Sequence, residues 1–260
     1  MTELIKKFSE AEVKPGSLTL VWLGQSGFAI KAPDGTIVYV DPYLTDTTSI
    51  GYKPYIHARM ITPVIPCDEP IDLKAVLYTH DHMDHMDPNT VVQLLWNTST
   101  FMVASSPVCE KFLKASLHVD DDRIRPLNEY ESMKIGMLTV TAVPANHSPG
   151  AVGYIVESEG QCMYFCGDTQ LFYTMPEIGK RWDIDVAFLC FNAQGGNMDI
   201  LAATALTKVL KAKCVVPAHY GMYSDNNADP DNFELALQRK LPEVQFRVMK
   251  PGKLTEFAKR

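Results

Sequence analysis

The 260-residue chain has no C-x-x-C pair, no Lys/Arg-rich run and no apolar stretch of bilayer length. Without paired spacing, the six cysteines (Cys67, Cys109, Cys162, Cys166, Cys190 and Cys214) read as reduced core residues, not as thiolate ligands or disulfides. With a formal net charge of -7 and no basic run, the electrostatic footprint of a polyanion-binding protein is missing, so no nucleic-acid partner is expected. Residues 1–13 are charged and amphipathic with no signal-type apolar region, and no window approaches the roughly 18 apolar residues that span a bilayer. The expectation is a cytoplasmic protein with no membrane partner.

What is present is core material. The chain is 46% hydrophobic and 21% charged, enough for one large domain or two fused halves without disulfides. Residues 18–23, 28–31 and 36–40 read as three strands, with Asp34-Gly35 as a hairpin turn and Asp41-Pro42 ending the third. Residues 138–143, 152–157 and 162–166 repeat the pattern, with Glu159-Gly160 as the turn and Asp168 closing the run. Each triplet is followed by an apolar strand, 75–78 and 186–191, of the kind buried between layers. Helical periodicity marks 88–97, with Asp87 as N-cap and Pro88 in the first turn, and also 108–117, 200–212 and 232–241. A duplicated β-meander with trailing helices predicts an α/β fold, a four-layer αββα sandwich of two similar halves whose loops meet at one sheet edge. Residues 45–70, rich in Pro, Thr and Tyr, are too long for an ordinary connection and read as a lid or substrate loop.

Just after the strand ending at Tyr78 comes Thr79-His80-Asp81-His82-Met83-Asp84-His85, which gathers three of the seven histidines with Asp81 and Asp84. Core packing does not ask for such a cluster. Imidazoles suit Zn, Mn or Fe, and an adjoining carboxylate-bearing set suits a second divalent ion. On an extended turn His80 and His82 can point to one ion, while Asp84 and His85 reach its neighbour. Asp81 reads as an orienting or solvated residue and Asp87 as a helix cap. Three further candidates each follow a predicted strand. His147 is a third ligand for the first ion. Asp168 has two oxygens able to bridge two cations, or is a turn aspartate. His219 serves the second ion, or is a loop histidine. His57 and His118 have no such placement.

The H-x-H-x-D-H motif, the lone His147, the Gly167-Asp168 pair and the final His219 resemble, in order, the metallo-β-lactamase superfamily. That resemblance implies one metallo-β-lactamase-fold domain over residues 1–260. It implies two divalent metal ions, with His80, His82 and His147 at one and Asp84, His85 and His219 at the other, Asp168 bridging and Asp41 supporting the ligands from behind. A closer likeness, in Val21-Trp22-Leu23-Gly24, Ile71-Asp72 through Asp87, Ile184-Asp185-Val186-Ala187 and Ala212-Lys213 through Asp231, is to the L-ascorbate 6-phosphate lactonase family.

Two divalent ions roughly 3.5–4 Å apart can hold a bridging hydroxide near neutral pH. The reading that follows is a hydrolase acting on a small, anionic lactone or ester such as a sugar-phosphate lactone, with Asp84, Asp168 and Tyr220 catalytic and Tyr220 a donor to the oxyanion. Asn197 in the Gly195-Gly196-Asn197 turn, ahead of the 200–212 helix whose N-terminus can receive an anion, joins His57 and Arg59 as candidate substrate contacts. A phosphodiesterase or nuclease would use the same ligands, and a non-catalytic metal scaffold would need an incomplete set. Neither the metal nor the existence of a homo-oligomer is fixed by these residues.

Overall fold

Strands β1 (Ser17–Gly24), β2 (Gly27–Lys31) and β3 (Ile37–Val40) are buried at every residue, the condition of a sheet covered on both faces. The computed structural model describes residues 1–48, 58–69, 71–104, 106–226 and 228–258. Among these, the first sheet continues through β4 (Leu73–Tyr78), β5 (Phe101–Ala104) and β6 (Ile124–Pro126). The second contains β7 (Ser132–Ile135), β8 (Leu138–Pro144), β9 (Val152–Ser158), β10 (Gln161–Phe165), β11 (Val186–Cys190), β12 (Cys214–Ala218) and β13 (Gln245–Phe246). A last strand, β14 (Leu254–Ala258), returns to pair with β1, so the sheet orders are β14-β1-β2-β3-β4-β5-β6 and β13-β12-β11-β10-β9-β8-β7.

The halves match as expected. In each, an antiparallel triplet (β1-β2-β3 or β8-β9-β10) is followed by parallel strands (β4-β5-β6 or β11-β12-β13). Parallel neighbours need crossovers. These are supplied by α2 (Pro88–Asn97) between β4 and β5, by α4 (Pro176–Arg181) between β10 and β11, by α5 (Ile200–Leu210) between β11 and β12, and by α6 (Pro230–Lys240) between β12 and β13.

Period-2 alternation sorts the strand residues between two cores. Leu18, Leu20, Trp22, Phe28, Ile30, Val38 and Val40 face the second sheet and share a core with Val140, Ala142, Tyr154, Phe165 and Phe188. Phe28 meets Phe188 edge-on at 4.7 Å, and Phe188 stacks on Phe165 at 4.3 Å. The alternate residues Val21, Leu23, Ala29, Tyr39, Val76 and Tyr78 pack outward with Ile5 and Phe8 of α1 (Glu3–Glu10) and with Val91 and Leu94 of α2. Helix, sheet, sheet, helix is the four-layer αββα sandwich.

The predicted 108–117 helix is instead α3 (Pro107–Lys111) running into a wide π-turn over Phe112–Ser116. There Leu117 N donates to Phe112 O and Val119 N to Leu113 O, which keeps Leu113 and Val119 both buried. Asp87 caps α2 as predicted, accepting from Asn89 N. It also accepts from Thr45, Thr47 and Thr90 hydroxyls, tying the start of the 45–70 segment to the helix. None of the described helices is long and apolar enough to cross a membrane.

Candidate metal centre

Ligand-type side chains reach one edge because each follows the C-terminal end of a strand. Asp41 follows β3, His80 follows β4, His147 follows β8, Asp168 follows β10 and His219 follows β12. The chain turns sharply there. Asp41 and His219 hold left-handed backbone (φ 41° and 59°), a strain that concentrates at functional sites. Gly167 is required ahead of Asp168, because its φ is 58° and a Cβ would lie 2.8 Å from Thr79 Cβ. Val152 N donates to Thr79 O at 3.0 Å, joining the two halves beside the cluster.

The structure brings the seven predicted ligand residues together. His80, His82 and His147 form one group and Asp84, His85 and His219 another, while His80, His85 and Asp168 span them; within each group one donor atom per residue lies within 4.8 Å of the others. His147 Nε2 lies 3.2 Å from His82 Nδ1. His85 Nε2 lies 3.2 Å from Asp168 Oδ1, and His219 Nε2 lies 3.2 Å from Asp168 Oδ2 and 3.4 Å from Asp84 Oδ2.

Electrostatics divide the cluster. Burial, aided by the neighbouring imidazoles His85, His82 and His147, holds His80 well below the ordinary imidazole range, so it is neutral with a lone pair to give. Burial also acts to lower His85, but Asp168, Asp84 and Asp41 outweigh it and push the imidazole well up. For His219, burial is likewise overcome by Asp168 and Asp84, and the pKa rises to about 10. In Asp84 and Asp168 burial would raise the carboxyls, yet His85 and His219 hold both low. One side of the cluster is therefore built of imidazoles alone, and the other is rich in carboxylate charge.

Three atoms test whether this set fits a cation. His80 Nε2, His85 Nε2 and Asp168 Oδ1 are buried without a hydrogen-bond partner. Buried polar atoms are normally satisfied, and imidazole nitrogen with carboxylate oxygen is the donor set that divalent Zn, Mn or Fe accepts. The residues fit.

The far nitrogens are fixed. Asp41 accepts from Thr79 N at 2.8 Å and Thr79 Oγ1 at 2.6 Å, and its Oδ2 lies 2.8 Å from His85 Nδ1. Thr79 Oγ1 lies 2.9 Å from His80 Nδ1, so one buried carboxylate orients two imidazoles. Thr79 was not singled out from sequence, although it adjoins His80. Gln25, which donates to Asp84, and Asn226, whose Nδ2 donates to His219 O at 3.1 Å, carried no sequence signal, being ordinary amides in turns.

Other predicted contacts are placed differently. Arg59 is a loop strut, because its guanidinium donates to Tyr43 O, Thr45 O and Ile61 O and lies 4.3 Å from the Tyr43 ring centre. Tyr220 packs in the core, stacked on Trp22 at 5.0 Å and against Phe191 at 5.5 Å, with its phenol pushed up to about 12 by burial. The tyrosine under the influence of the cluster is Tyr223, whose phenol is raised by burial and then by the Asp84 charge. The N-terminus of α5 is taken by Asp199, whose carboxylate accepts from Ala202 N at 2.7 Å where an anionic ligand was expected. Gly196 lies over His147, 3.4 Å from Nδ1 at a notional Cβ, and both side-chain polar atoms of the buried Asn197 lack partners. His57 lies outside the described residues.

With this geometry in hand, the likenesses are informative. A family model described as "Beta-lactamase superfamily domain" matches residues 36–220, well over half the chain. A metal-dependent hydrolase of Archaeoglobus fulgidus is 27% identical over 93% of this chain and all of its own length. Another, of Pyrobaculum arsenaticum, is 29% identical over 89% of this chain and 96% of its own. Among solved structures, Igni18, a metallo hydrolase from Ignicoccus hospitalis, superposes with TM-score 0.74 at 25% identity, covering 94% of this chain and 100% of that one. An isothiocyanate hydrolase from Delia radicum gut bacteria shares the fold with TM-score 0.73 at 16% identity, over 92% of this chain and 99% of its own.

Proposed function

The chain belongs to the β-lactamase superfamily, and on that premise we propose a metal-dependent hydrolase that cleaves a small carboxylic ester or lactone with two divalent cations. His80, His82 and His147 would hold one ion and Asp84, His85 and His219 the other, with Asp168 between them. The observation that carries this reading is the set of orphaned buried donor atoms, His80 Nε2, His85 Nε2 and Asp168 Oδ1, at the junction of the two groups. When bound, divalent cations supply Lewis acidity and make water acidic enough to act as a nucleophile near neutral pH.

The protein's own groups do the rest. Asp41 and Thr79 keep His85 and His80 turned so that their Nε2 atoms face the centre. Asp168 places Oδ1 3.2 Å from His85 Nε2, and Oδ2 3.2 Å from His219 Nε2 and 3.7 Å from His147 Nε2, so its carboxylate reaches members of both groups. Asn197, beside the Gly196–His147 contact, offers an amide to the substrate's acyl group. Water oxygen bonds to the acyl carbon, the acyl–alkoxy bond breaks, and the alcohol leaves with a proton from water.

A phosphodiesterase reading draws on the same ligands but wants cations around the phosphoryl oxygens, and Arg59 gives its Nε and Nη1 to loop carbonyls. With Asp199 on the α5 N-terminus, an uncharged ester or lactone is favoured over a phosphorylated one. The test compares kcat/KM for simple esters, simple lactones, L-ascorbate 6-phosphate and bis(p-nitrophenyl) phosphate with Zn or Mn supplied. Uncharged esters or lactones should lead; phosphodiester turnover above every lactone and ester would overturn the reading.

A further inference from the structure

Gln25 sits in the short connection between β1 and β2 with left-handed backbone, φ 53°. Such a position is served at least strain by Gly, Asn or Asp. Its side chain is fully buried, and Oε1 has no hydrogen-bond partner. A strained backbone and an unpaired buried carbonyl are two unfavourable features in one residue, and features of that kind persist where the surroundings use them.

The contacts Gln25 does make converge on one half of the cluster. Nε2 donates to Asp84 Oδ2 at 2.8 Å and lies 3.2 Å from His219 Nε2. Its backbone carbonyl accepts from His219 N at 3.0 Å and from the Trp22 indole at 3.0 Å. Asp84 and His219 come from opposite halves of the chain, and neither belongs to a regular strand or helix. Among the described residues, no hydrogen bond of Gln25 reaches His80, His82 or His147.

We infer that Gln25 is a positioning residue for the second cation: its amide and carbonyl hold the Asp84 carboxylate and the His219 ring in the arrangement that receives the ion beside His85. The inference rests on the two-cation reading above. Asp84 Oδ2, the oxygen that Gln25 holds, is also the one 3.4 Å from His219 Nε2 and 3.8 Å from His85 Nε2, so the amide fixes the carboxylate face turned to the ion, and the His219 backbone is pinned at the strained turn that aims its ring. Partners behind metal ligands are worth about 10–100-fold in metal affinity. In the all-imidazole group Thr79 stands behind His80, with Asp41 shared between Thr79 and His85, and none of these contacts involves Gln25.

The test uses the full chain with Gln25→Met, which keeps the length and removes the donor, and Gln25→His, which restores an N–H. Anomalous diffraction from Mn-loaded crystals locates each ion, and Mn calorimetry gives affinities. The wild type should show ions at both positions. Gln25→Met should lose occupancy at the Asp84–His85–His219 position, with affinity there down about 10–100-fold, keep the ion at His80–His82–His147 and keep its unfolding midpoint, and Gln25→His should recover part of the loss. Unchanged binding in Gln25→Met, or equal weakening at both positions, overturns the role. Should Gln25→Met fail to fold, Gln25→Asn tolerates the same backbone while drawing the amide back by one methylene, and the same loss is expected. A wild type with one ion, at the Asp84 position, would refute the two-cation reading while leaving the Gln25 comparison decisive; one ion at the imidazole position would refute both.

Discussion

Asp41 accepts two hydrogen bonds from Thr79 and faces His85 Nδ1 at 2.8 Å, all while fully buried. Asp41→Asn keeps the shape but removes the charge and one acceptor, so metal affinity measured by calorimetry should fall about 10–100-fold; an unchanged affinity would mean the imidazoles are held by packing alone. Cys162 illustrates a different residue-scale effect. Burial first, then Glu157 and Asp185, push its thiol up to about 12. A group with a raised folded pKa contributes stability that is intact below its unfolded value, about 8.5, and is lost as pH climbs toward the folded one. Urea midpoints should therefore fall between about pH 8.5 and 11, and Cys162→Ala should flatten the fall. The same slope in the variant would assign the alkaline limit to the buried phenols Tyr78, Tyr154 and Tyr164, which burial also raises. At this scale the histidines and carboxylates were legible in the sequence because each stands just past a strand. Gln25 and Thr79 were not, because an amide or hydroxyl signals nothing until its neighbour is known.

At the scale of elements, α2 carries a prediction of its own. Asp87 caps the helix and gathers the hydroxyls of Thr45, Thr47 and Thr90. Asp87→Ala leaves a helix start and three hydroxyls without their acceptor, which should lower stability by about 2 kcal/mol in urea unfolding while metal content stays at the wild-type level; loss of metal would place Asp87 in the site instead. The cap was readable because Asp-Pro before an apolar periodic run is a local signal. The antiparallel triplets and the strands after them were readable from period 2 and from uniform apolarity. The strands β5, β6, β7 and β13 were missed, being two to four residues long, and β14 pairs across the whole chain with β1, which no local pattern announces. The helix at 108–117 was half right, since the π-turn answers to the burial of Leu113 and Val119 and not to periodicity.

At the scale of the molecule, duplication places the two ligand groups. The first half supplies His80, His82, Asp84 and His85, the second His147, Asp168 and His219, and the facing sheets deliver them to one edge. Such a site is complete only when both halves are folded against each other, which is why neither half's sequence shows a full ligand set. The substrate is written more faintly, because the loop sequences 45–70 and 192–199 follow no repeat. The central claim is that hydrolysis depends on cations held by this cluster. The most direct test strips the protein with chelator and titrates Zn or Mn back, following hydrolysis of a small ester or lactone for the wild type, His82→Ala and Asp168→Ala. Activity should be absent at first and return with two equivalents of metal in the wild type, and neither variant should regain more than about a hundredth of it. Full turnover by the metal-free protein, or by either variant, would contradict the account.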